Sequence, residues 1–300
     1  MLVKLKRIYN KTIAVTEKEL KLKLRFPLSF FAYIFVKPFY SLIPFLILYT
    51  GLFALQGPDL TSILIFFSEL KFNDPLVQYQ LYNFLKSAFS SSLNQTNYLS
   101  WLIVGNLIFV FSKNGFDAFI EKFIFEKYWN TIQGTLLAPI NRYLMLIGYI
   151  LITLIESMIF FIMMIIISAF LFPISIFQII SIFLIACLMI VASGGIGLIK
   201  GSINLSTESY RVFFELGQFL ILFLSCYTIP FEYFPEFLQG IIIINPFYHG
   251  VNLARNIFYG VYTPDIFLSL LFIIIFAIIT AIIGVYLFNK IWKKFGIHGY

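Results

Sequence analysis

Few side chains in this 300-residue sequence have types and spacing that suit catalysis or metal binding. The two cysteines, Cys187 and Cys226, lie in different apolar runs without metal-type spacing, and the histidines are His249 and His298. The segment GGIGLIKGS at 194–202 has the wrong spacing for a phosphate-binding loop and closes an apolar run. The loops also lack a Ser/His/Asp or paired-carboxylate arrangement. We therefore expect no enzyme activity, and no cofactor or metal in this chain.

Glu156 is the polar residue with the clearest chemical potential, because it lies inside the apolar run 143–170. A charge near the centre of a bilayer costs roughly 2.5–3.5 kcal/mol on insertion scales, so such residues usually face the bundle interior and mark a pathway. A protonated, hydrogen-bonded carboxyl with a packing role is an equal alternative. Glu156 is thus either the proton or ion site of a secondary transporter or channel, or a structural group.

The composition places these residues in an integral membrane protein. The chain is 60% hydrophobic and 12% charged, with a mean hydropathy of +0.93, which is far from the range of soluble domains. A helix needs about 20 apolar residues to cross a bilayer. We therefore predict an all-α polytopic protein with one transmembrane domain over 30–289. Its six spans are expected near 30–55, 98–118, 143–170, 174–199, 209–230 and 265–289.

The distribution of basic residues predicts the orientation, since loops rich in Lys and Arg stay in the cytoplasm. With the N-terminus inside, six spans place only Lys71, Lys86 and Arg255 of the 21 basic residues outside. A seventh crossing at 237–259 would put the basic tail 290–300 outside as well. The pattern therefore favours a plasma-membrane protein with both termini in the cytoplasm and a segment, 231–260, that enters the membrane and returns.

The sequence of that segment, FEYFPEFLQGIIIINPFYHGVNLARNIFYG, contains the residues needed to interrupt a helix. Pro235 and Pro246 each lack a backbone donor and clash with a preceding helical turn. A residue before proline avoids helical angles, so Asn245 is predicted to join two half-helices. A kinked loop on the outer membrane surface is the alternative. The charged side chains of the segment are expected at its watery rim: Glu232, Glu236 and Arg255.

The N-terminal region 1–29 is predicted to contain an interfacial helix. In TEKELKLKLRFP, residues 16–27, Thr16 and Glu19 match a capping box that would start the helix. The alternation of leucines fits a strand better, but a lone strand would leave unpaired edges. We therefore expect a helix whose basic side chains meet anionic lipid headgroups. The outer loop 56–97 is longer than a simple connection needs, and a short amphipathic helix is expected in it, over the outer mouth.

Residues 121–142 are too polar to cross and are predicted to form an amphipathic cytoplasmic helix. Its aromatic face suits docking onto another protein, and lying on the lipid surface is as good an interpretation. Nearer the membrane, Lys113 and Asp117 are four residues apart and can share a helix face. Glu215 is similarly placed to meet Arg211. These two pairs are predicted to be interfacial anchors rather than substrate ligands.

Three segments resemble the membrane subunit of type-2 ATP-binding-cassette (ABC) exporters. The stretch GSINLSTESYRVFFELGQFLILFLSCYTIPFEYFPEFLQGIIIINPFYHGVNLARNIFYG is similar to the C-terminal half of that family, which has prolines after an apolar span, then Asn-Pro and an arginine. The stretch GTLLAPINRYLMLIGYIL resembles its Gly-Thr-Leu, Pro and apolar-Gly pattern, and ELKLKLRFPLSFF resembles its interfacial helix. The matching residues are Pro230, Pro235, Asn245, Pro246 and Arg255, with Gly134, Thr135, Leu136, Pro139 and Gly148.

The resemblance implies a permease that moves a hydrophobic, lipid-like or glycan substrate outward. It implies two copies of a separate ATPase subunit, which bind ATP and Mg, and a second permease that is either an identical or a sister chain. Membrane lipid is a further expected partner, and nucleic acid is not. The matched positions imply an outer gate formed by Pro230, Pro235, Asn245, Pro246 and Arg255. They also imply an ATPase-coupling set: Glu126, Gln133, Gly134, Thr135 and Pro139.

Overall fold

The structure is a computed structural model that describes most of the helical regions of the chain. The described residues form helices and no strands, in agreement with the all-α prediction. The outer loop 56–97 lies outside the described residues except for Asn97, and so do about half of the first predicted span and about half of 121–142. The described ranges are 2–36, 39–40, 42–44, 46–47, 97–128, 141–206, 210–262 and 264–297.

The long helices after residue 97 follow the apolar runs of the sequence. A π-helical turn, Ala32–Val36, follows α2, and a 3₁₀ turn, Phe231–Tyr233, precedes α8. The α-helices are α1 Leu2–Leu24, α2 Pro27–Phe31, α3 Tyr98–Asp117, α4 Ile120–Tyr128, α5 Arg142–Leu171, α6 Ile176–Ser206, α7 Arg211–Phe223, α8 Glu236–Ile244, α9 Pro246–Phe258 and α10 Asp265–Ile297.

Within the described ranges, four helical stretches are long and apolar enough to cross a membrane, and they lie where four of the six spans were predicted. At 1.5 Å per residue each exceeds the roughly 30 Å thickness of a hydrocarbon core, so each also extends beyond it. The stretches are Tyr98–Tyr128, Arg142–Leu171, Ile176–Ser206 and Asp265–Ile291.

The helix expected over 209–230 is shorter in the structure and ends at Phe223. Helix α7 has 13 residues, about 20 Å of rise, which is too short to cross alone. The backbone leaves the helix after Phe223, and Cys226 adopts a left-handed φ of 58°. A non-glycine residue in that conformation is strained, so other contacts must hold the segment 224–230 in place.

Helix α6 lies at the centre of the fold and contacts α3, α4, α5, α9 and α10. Small residues let these helices approach closely, as is common between membrane helices. A Cβ added to Gly197 of α6 would lie 2.6 Å from the Gly115 carbonyl oxygen of α3. On the other side of α6, the Thr280 hydroxyl of α10 donates to the Ala192 carbonyl at 3.1 Å.

The N-terminal region is helical, as predicted, but the helix starts earlier than expected. Helix α1 begins at Leu2, so Thr16 lies in its interior and donates to the Thr12 carbonyl at 3.1 Å instead of capping the helix. The predicted capping box is therefore wrong, because the preceding residues are helical too. α1 packs lengthwise along α5, with Val15 against Gly148 and, further along, Lys23 against Glu156.

Candidate functional site

Asn245 separates α8 from α9, as the proline rule predicted. Its backbone is extended at φ −77° and ψ 115°, and its side-chain oxygen accepts from the Phe247 amide at 3.0 Å, which caps α9. Pro246 fills the first position of α9, where its missing donor costs nothing. The Asn245 amide nitrogen also donates to the Ile221 carbonyl of α7 at 2.7 Å. One side chain thus caps one helix and ties it to another.

The two earlier prolines start helices rather than kink one. Pro230 precedes the 3₁₀ turn with ψ 151°, and Pro235 precedes α8 with ψ 147°. Glu232 and Glu236, which follow them, are exposed as expected.

Arg255 is not at a watery rim. Its residue is only 7% exposed, and its guanidinium donates to the Cys226 and Tyr227 carbonyls at 2.8 Å each and to the Trp101 carbonyl at 3.3 Å. The guanidinium also lies 3.3 Å from the centroid of the Trp101 ring. The segment after α7 leaves carbonyls without helical partners, and a buried carbonyl needs a donor. Arg255 is buried because it supplies those donors.

Gly105 of α3 completes this arrangement, which we call the arginine clamp: Trp101, Gly105, Cys226, Tyr227 and Arg255. A Cβ at Gly105 would collide with the Tyr227 carbonyl oxygen and a terminal nitrogen of the guanidinium. Only glycine therefore allows α3 to lie this close to the irregular segment. The sequence analysis did not single out Gly105 or Trp101, and no local pattern marks them.

The clamp and Asn245 together show the path of the chain. Asn245 lies beside Ile221, whereas Arg255 lies beside Cys226 and Tyr227. Helix α9 therefore runs in the same direction as the end of α7, and between Tyr227 and Asn245 the chain must return to the level of Ile221. At its far end, the Tyr259 hydroxyl lies 2.9 Å from that of Ser100, near the start of α3.

A cavity of about 650 Å³ lies between α3, α4, α6 and α7. One end is apolar and aromatic, and the Tyr227 ring stacks on the Phe109 ring there with centroids 4.0 Å apart. The opposite end lies where α3 and α6 end and α7 begins, and it is charged. The apolar lining includes Phe109, Phe219, Leu222, Phe223 and Tyr227, and the charged lining consists of Lys113, Asp117, Glu121, Lys200, Arg211 and Glu215.

A polar bridge crosses the charged end and joins three helices. Lys200 of α6 donates to the Gln218 side-chain oxygen of α7, and the Gln218 nitrogen donates to the Asp117 carboxylate of α3 at 3.1 Å. Arg211 and Glu215 form the predicted pair at 2.9 Å, both exposed. Lys113 and Asp117 both line the cavity. Sequence reasoning missed Lys200 and Gln218, although Phe109, Lys113 and Asp117 already shared a helical face.

Glu156 is buried, at 6% exposure, and forms an ion pair with Lys23 of α1. The Lys23 ammonium lies 2.5 Å and 2.7 Å from the two carboxylate oxygens. A buried carboxylate is strongly stabilised only when it is paired. The sequence analysis did not identify Lys23 as the partner, because the pair joins residues 133 positions apart.

Of the coupling residues, only Glu126 belongs to the described part of the chain. It is buried and accepts from the Tyr149 hydroxyl at 2.9 Å, which ties α4 to α5. Lys122 of α4 pairs with Glu19 of α1 at 2.5 Å. The other predicted coupling residues lie outside the described residues: Gln133, Gly134, Thr135 and Pro139.

The exposed face of α1 carries a further ion pair. Lys21 lies 2.7 Å from Glu17, and its hydrogen bond and its charge both lower the pKa of that carboxyl. Among the described residues, no group of three His, Cys, Asp or Glu side chains is placed to hold a metal ion.

The long apolar helices surround a cavity that is charged at one end and apolar at the other. These features are typical of a polytopic membrane protein of the transporter class. The family model described as ABC-2 type transporter matches residues 61–259. This match covers more than half of the chain, and the chain belongs to the ABC-2 type transporter family. It is thus a membrane-embedded permease subunit of an ABC transporter, a family whose members associate with an ABC ATPase. A search of curated proteins found no match.

Proposed function

We propose that this permease subunit exports a hydrophobic, lipid-like or glycan substrate, driven by ATP hydrolysis on two copies of a separate ATPase. ATP and Mg bind those partners, and a second permease, identical or sister, completes the pathway. The observation that carries the proposal is the cavity between α3, α6 and α7, in a chain of the ABC-2 family. Helix α7 forms one wall and exposes most of its apolar side chains, which leaves a face for the second permease.

The proposed orientation places both termini in the cytoplasm. The positive-inside rule supports it, and it puts the charged end of the cavity on the cytoplasmic side, together with α1 and α4. The segment 231–260 is then re-entrant from the outer side. The return of the chain from Tyr227 to Asn245 supports this topology, and the arginine clamp satisfies backbone groups that such a segment would otherwise leave unpaired in the membrane.

The proposed coupling route runs through α4 and residues 129–142, which dock onto the ATPase. The bonds from Glu126 to Tyr149 and from Lys122 to Glu19 support this route, because they join α4 to α5 and α1. Movement of α4 would therefore move α5 and α1 with it. Substituting Gln133 or Thr135 is expected to uncouple transport from ATP hydrolysis while the protein stays in the membrane, and unchanged export would contradict this role.

A pair of leucine variants tests the cavity directly. The permease is copurified with its ABC ATPase partner and reconstituted into liposomes, and ATP-driven movement of a fluorescent short-chain phospholipid is measured. Leu222→Trp fills the cavity and is expected to abolish movement, whereas Leu184→Trp, at an exposed position of α6 outside the cavity lining, is expected to preserve it. Equal activity of the two variants would refute the cavity as the pathway.

The alternative function, a secondary transporter or channel with Glu156 as its proton or ion site, makes a different prediction. Glu156→Gln would abolish transport, and no ATPase would accompany the purified chain. The ion pair with Lys23 supports the structural alternative instead, because it accounts for the burial of Glu156 without a transported ion.

A further inference from the structure

The cavity has a defined polarity along its length. From Phe109 to Asp117 along α3 is about 12 Å, and from Arg211 to Leu222 along α7 is about 16 Å, at 1.5 Å per residue. Over this distance these two walls change from charged to apolar in the same direction, whereas α4 contributes Glu121 and the apolar Ile120, Ile124 and Phe125 beside the charged end. On α3 and α7 the polar groups lie near one end and the apolar groups near the other. This lining suits an amphiphile better than a wholly apolar or a wholly polar molecule.

The charged end contains as many basic side chains as acidic ones. Its bases are Lys113, Lys200 and Arg211, and its acids are Asp117, Glu121 and Glu215. Charges of both signs occur on more than one wall: α3 carries Lys113 and Asp117, and α7 carries Arg211 and Glu215. A head group with a single net charge would gain on one side of this end and lose on the other. A head group that carries both signs can meet both.

We propose that the cavity selects an amphiphile with a zwitterionic head group, which lies against Lys200 and Asp117 while the tail lies against Phe109 and Phe223. This inference rests on the proposed function, since it assumes that the cavity is the transport pathway. Gln218 bridges Lys200 and Asp117, so these two opposite charges belong to one polar network at the charged end of the cavity. On the proposed orientation, the head group then sits at the cytoplasmic interface, as it does in the inner leaflet.

The test uses the reconstituted permease–ATPase complex and three fluorescent lipids with one acyl chain composition and different head groups. These are phosphatidylcholine, phosphatidylglycerol and a trimethylammonium lipid, and ATP-dependent movement is measured as the change in the fraction of fluorophore quenched by dithionite. The wild-type complex is expected to move the zwitterionic lipid roughly two- to fivefold faster than either charged lipid, the ratio expected for one partly screened charge.

Two substitutions that preserve size provide the matched controls. Asp117→Asn leaves a positive excess and is expected to raise the ratio of anionic to cationic lipid movement, and Lys200→Gln is expected to lower it. Both replacements can still hydrogen-bond to Gln218. Because Asp117 and Lys200 lie inside the fold, a second pair of variants is made at the exposed rim. Glu215→Gln is expected to raise the ratio of anionic to cationic lipid movement and Arg211→Gln to lower it, both by less than the first pair.

The outcomes separate the two levels of the proposal. The head-group preference could stay the same in both variants of a pair, or change in the same direction in both. Either result overturns the zwitterionic selection but does not contradict the proposed export function. If the wild-type complex hydrolyses ATP but moves none of the lipids, the result overturns the zwitterionic selection and also a lipid as the substrate of the exporter. Opposite shifts in the two pairs support the selection.

Discussion

Replacing Arg255 by methionine is expected to open the segment after α7 while the four long helices remain folded. The guanidinium donates to three buried carbonyls, two of them at 2.8 Å, and stacks on Trp101. Each buried acceptor that loses its donor costs about 1–3 kcal/mol, and the contact with the ring contributes roughly 0.5–2 kcal/mol. Since such terms overlap, we expect a total loss of about 3–6 kcal/mol for this local structure.

Cys226 is a direct probe of that opening, because it is buried and its carbonyl bonds to Arg255. In a Cys187→Ser background it is the only thiol in the chain, and its labelling by a maleimide dye reports how often the segment opens. A loss of about 3 kcal/mol corresponds to labelling that is roughly 100-fold faster. Arg255→Lys keeps the charge but lacks the forked donors, so its labelling rate is expected between those of wild type and Arg255→Met.

The matched control is Arg211→Met, which removes an exposed arginine and its pair with Glu215. Exposed ion pairs contribute about 0–1 kcal/mol, so Cys226 labelling is expected to change less than about fivefold. Equal labelling rates in the Arg255→Met and Arg211→Met proteins would refute the clamp. A rate for Arg255→Lys indistinguishable from wild type would show that charge alone, rather than the geometry of the guanidinium, holds the segment.

Three further predictions concern stability in detergent, measured as the thermal unfolding midpoint. Gly105→Ala is expected to destabilise the protein by about 1–3 kcal/mol through overpacking. Gly217→Ala, which has open space around its Cβ position, should stabilise it by about 0.5–1 kcal/mol. Equal midpoints for the two variants would contradict the close approach of α3 to the segment after α7. Lys23→Met should destabilise the protein more than the double variant Lys23→Met/Glu156→Gln, because the single change leaves a buried charge unpaired. The double variant should still transport. If it loses transport while its unfolding midpoint stays normal, Glu156 is an ion site instead. Asn245→Ala should lose about 1–2 kcal/mol from the helix cap and the bond to α7, and Asn245→Ser, which keeps the cap, should lose less.

Much of the fold followed from the sequence, because apolar length and proline chemistry are local properties. The break at Asn245 could be predicted because Pro246 restricts the residue before it. The long helices α3, α5, α6 and α10 could be placed because their apolar runs exceed the length of a span. By contrast, the end of α7 at Phe223 carries no local signal, since no glycine or proline lies between Leu224 and Ile229. That break depends on Arg255, which lies far along the chain.

The candidate site was less accessible from sequence. The pairing of Arg211 with Glu215 spans one helical turn and was predicted correctly. Lys200 had been set aside with its failed phosphate-loop motif, and Gln218 had no feature that distinguished it from other polar residues. Their partners lie on different helices, and spacing along one helix does not reveal which faces meet.

The sequence by itself determined that this protein is helical, membrane-embedded and of the ABC-2 family, because composition, run length and ordered motifs carry that information. The tertiary structure alone decided what its charged residues do. It buried Arg255 against freed carbonyls, paired Glu156 with Lys23, and brought Lys200 to Asp117 through Gln218. The physical reason is the cost of an unpaired charge or polar group in an apolar interior. That cost requires a partner but does not specify it, and the packing of the helices supplies one.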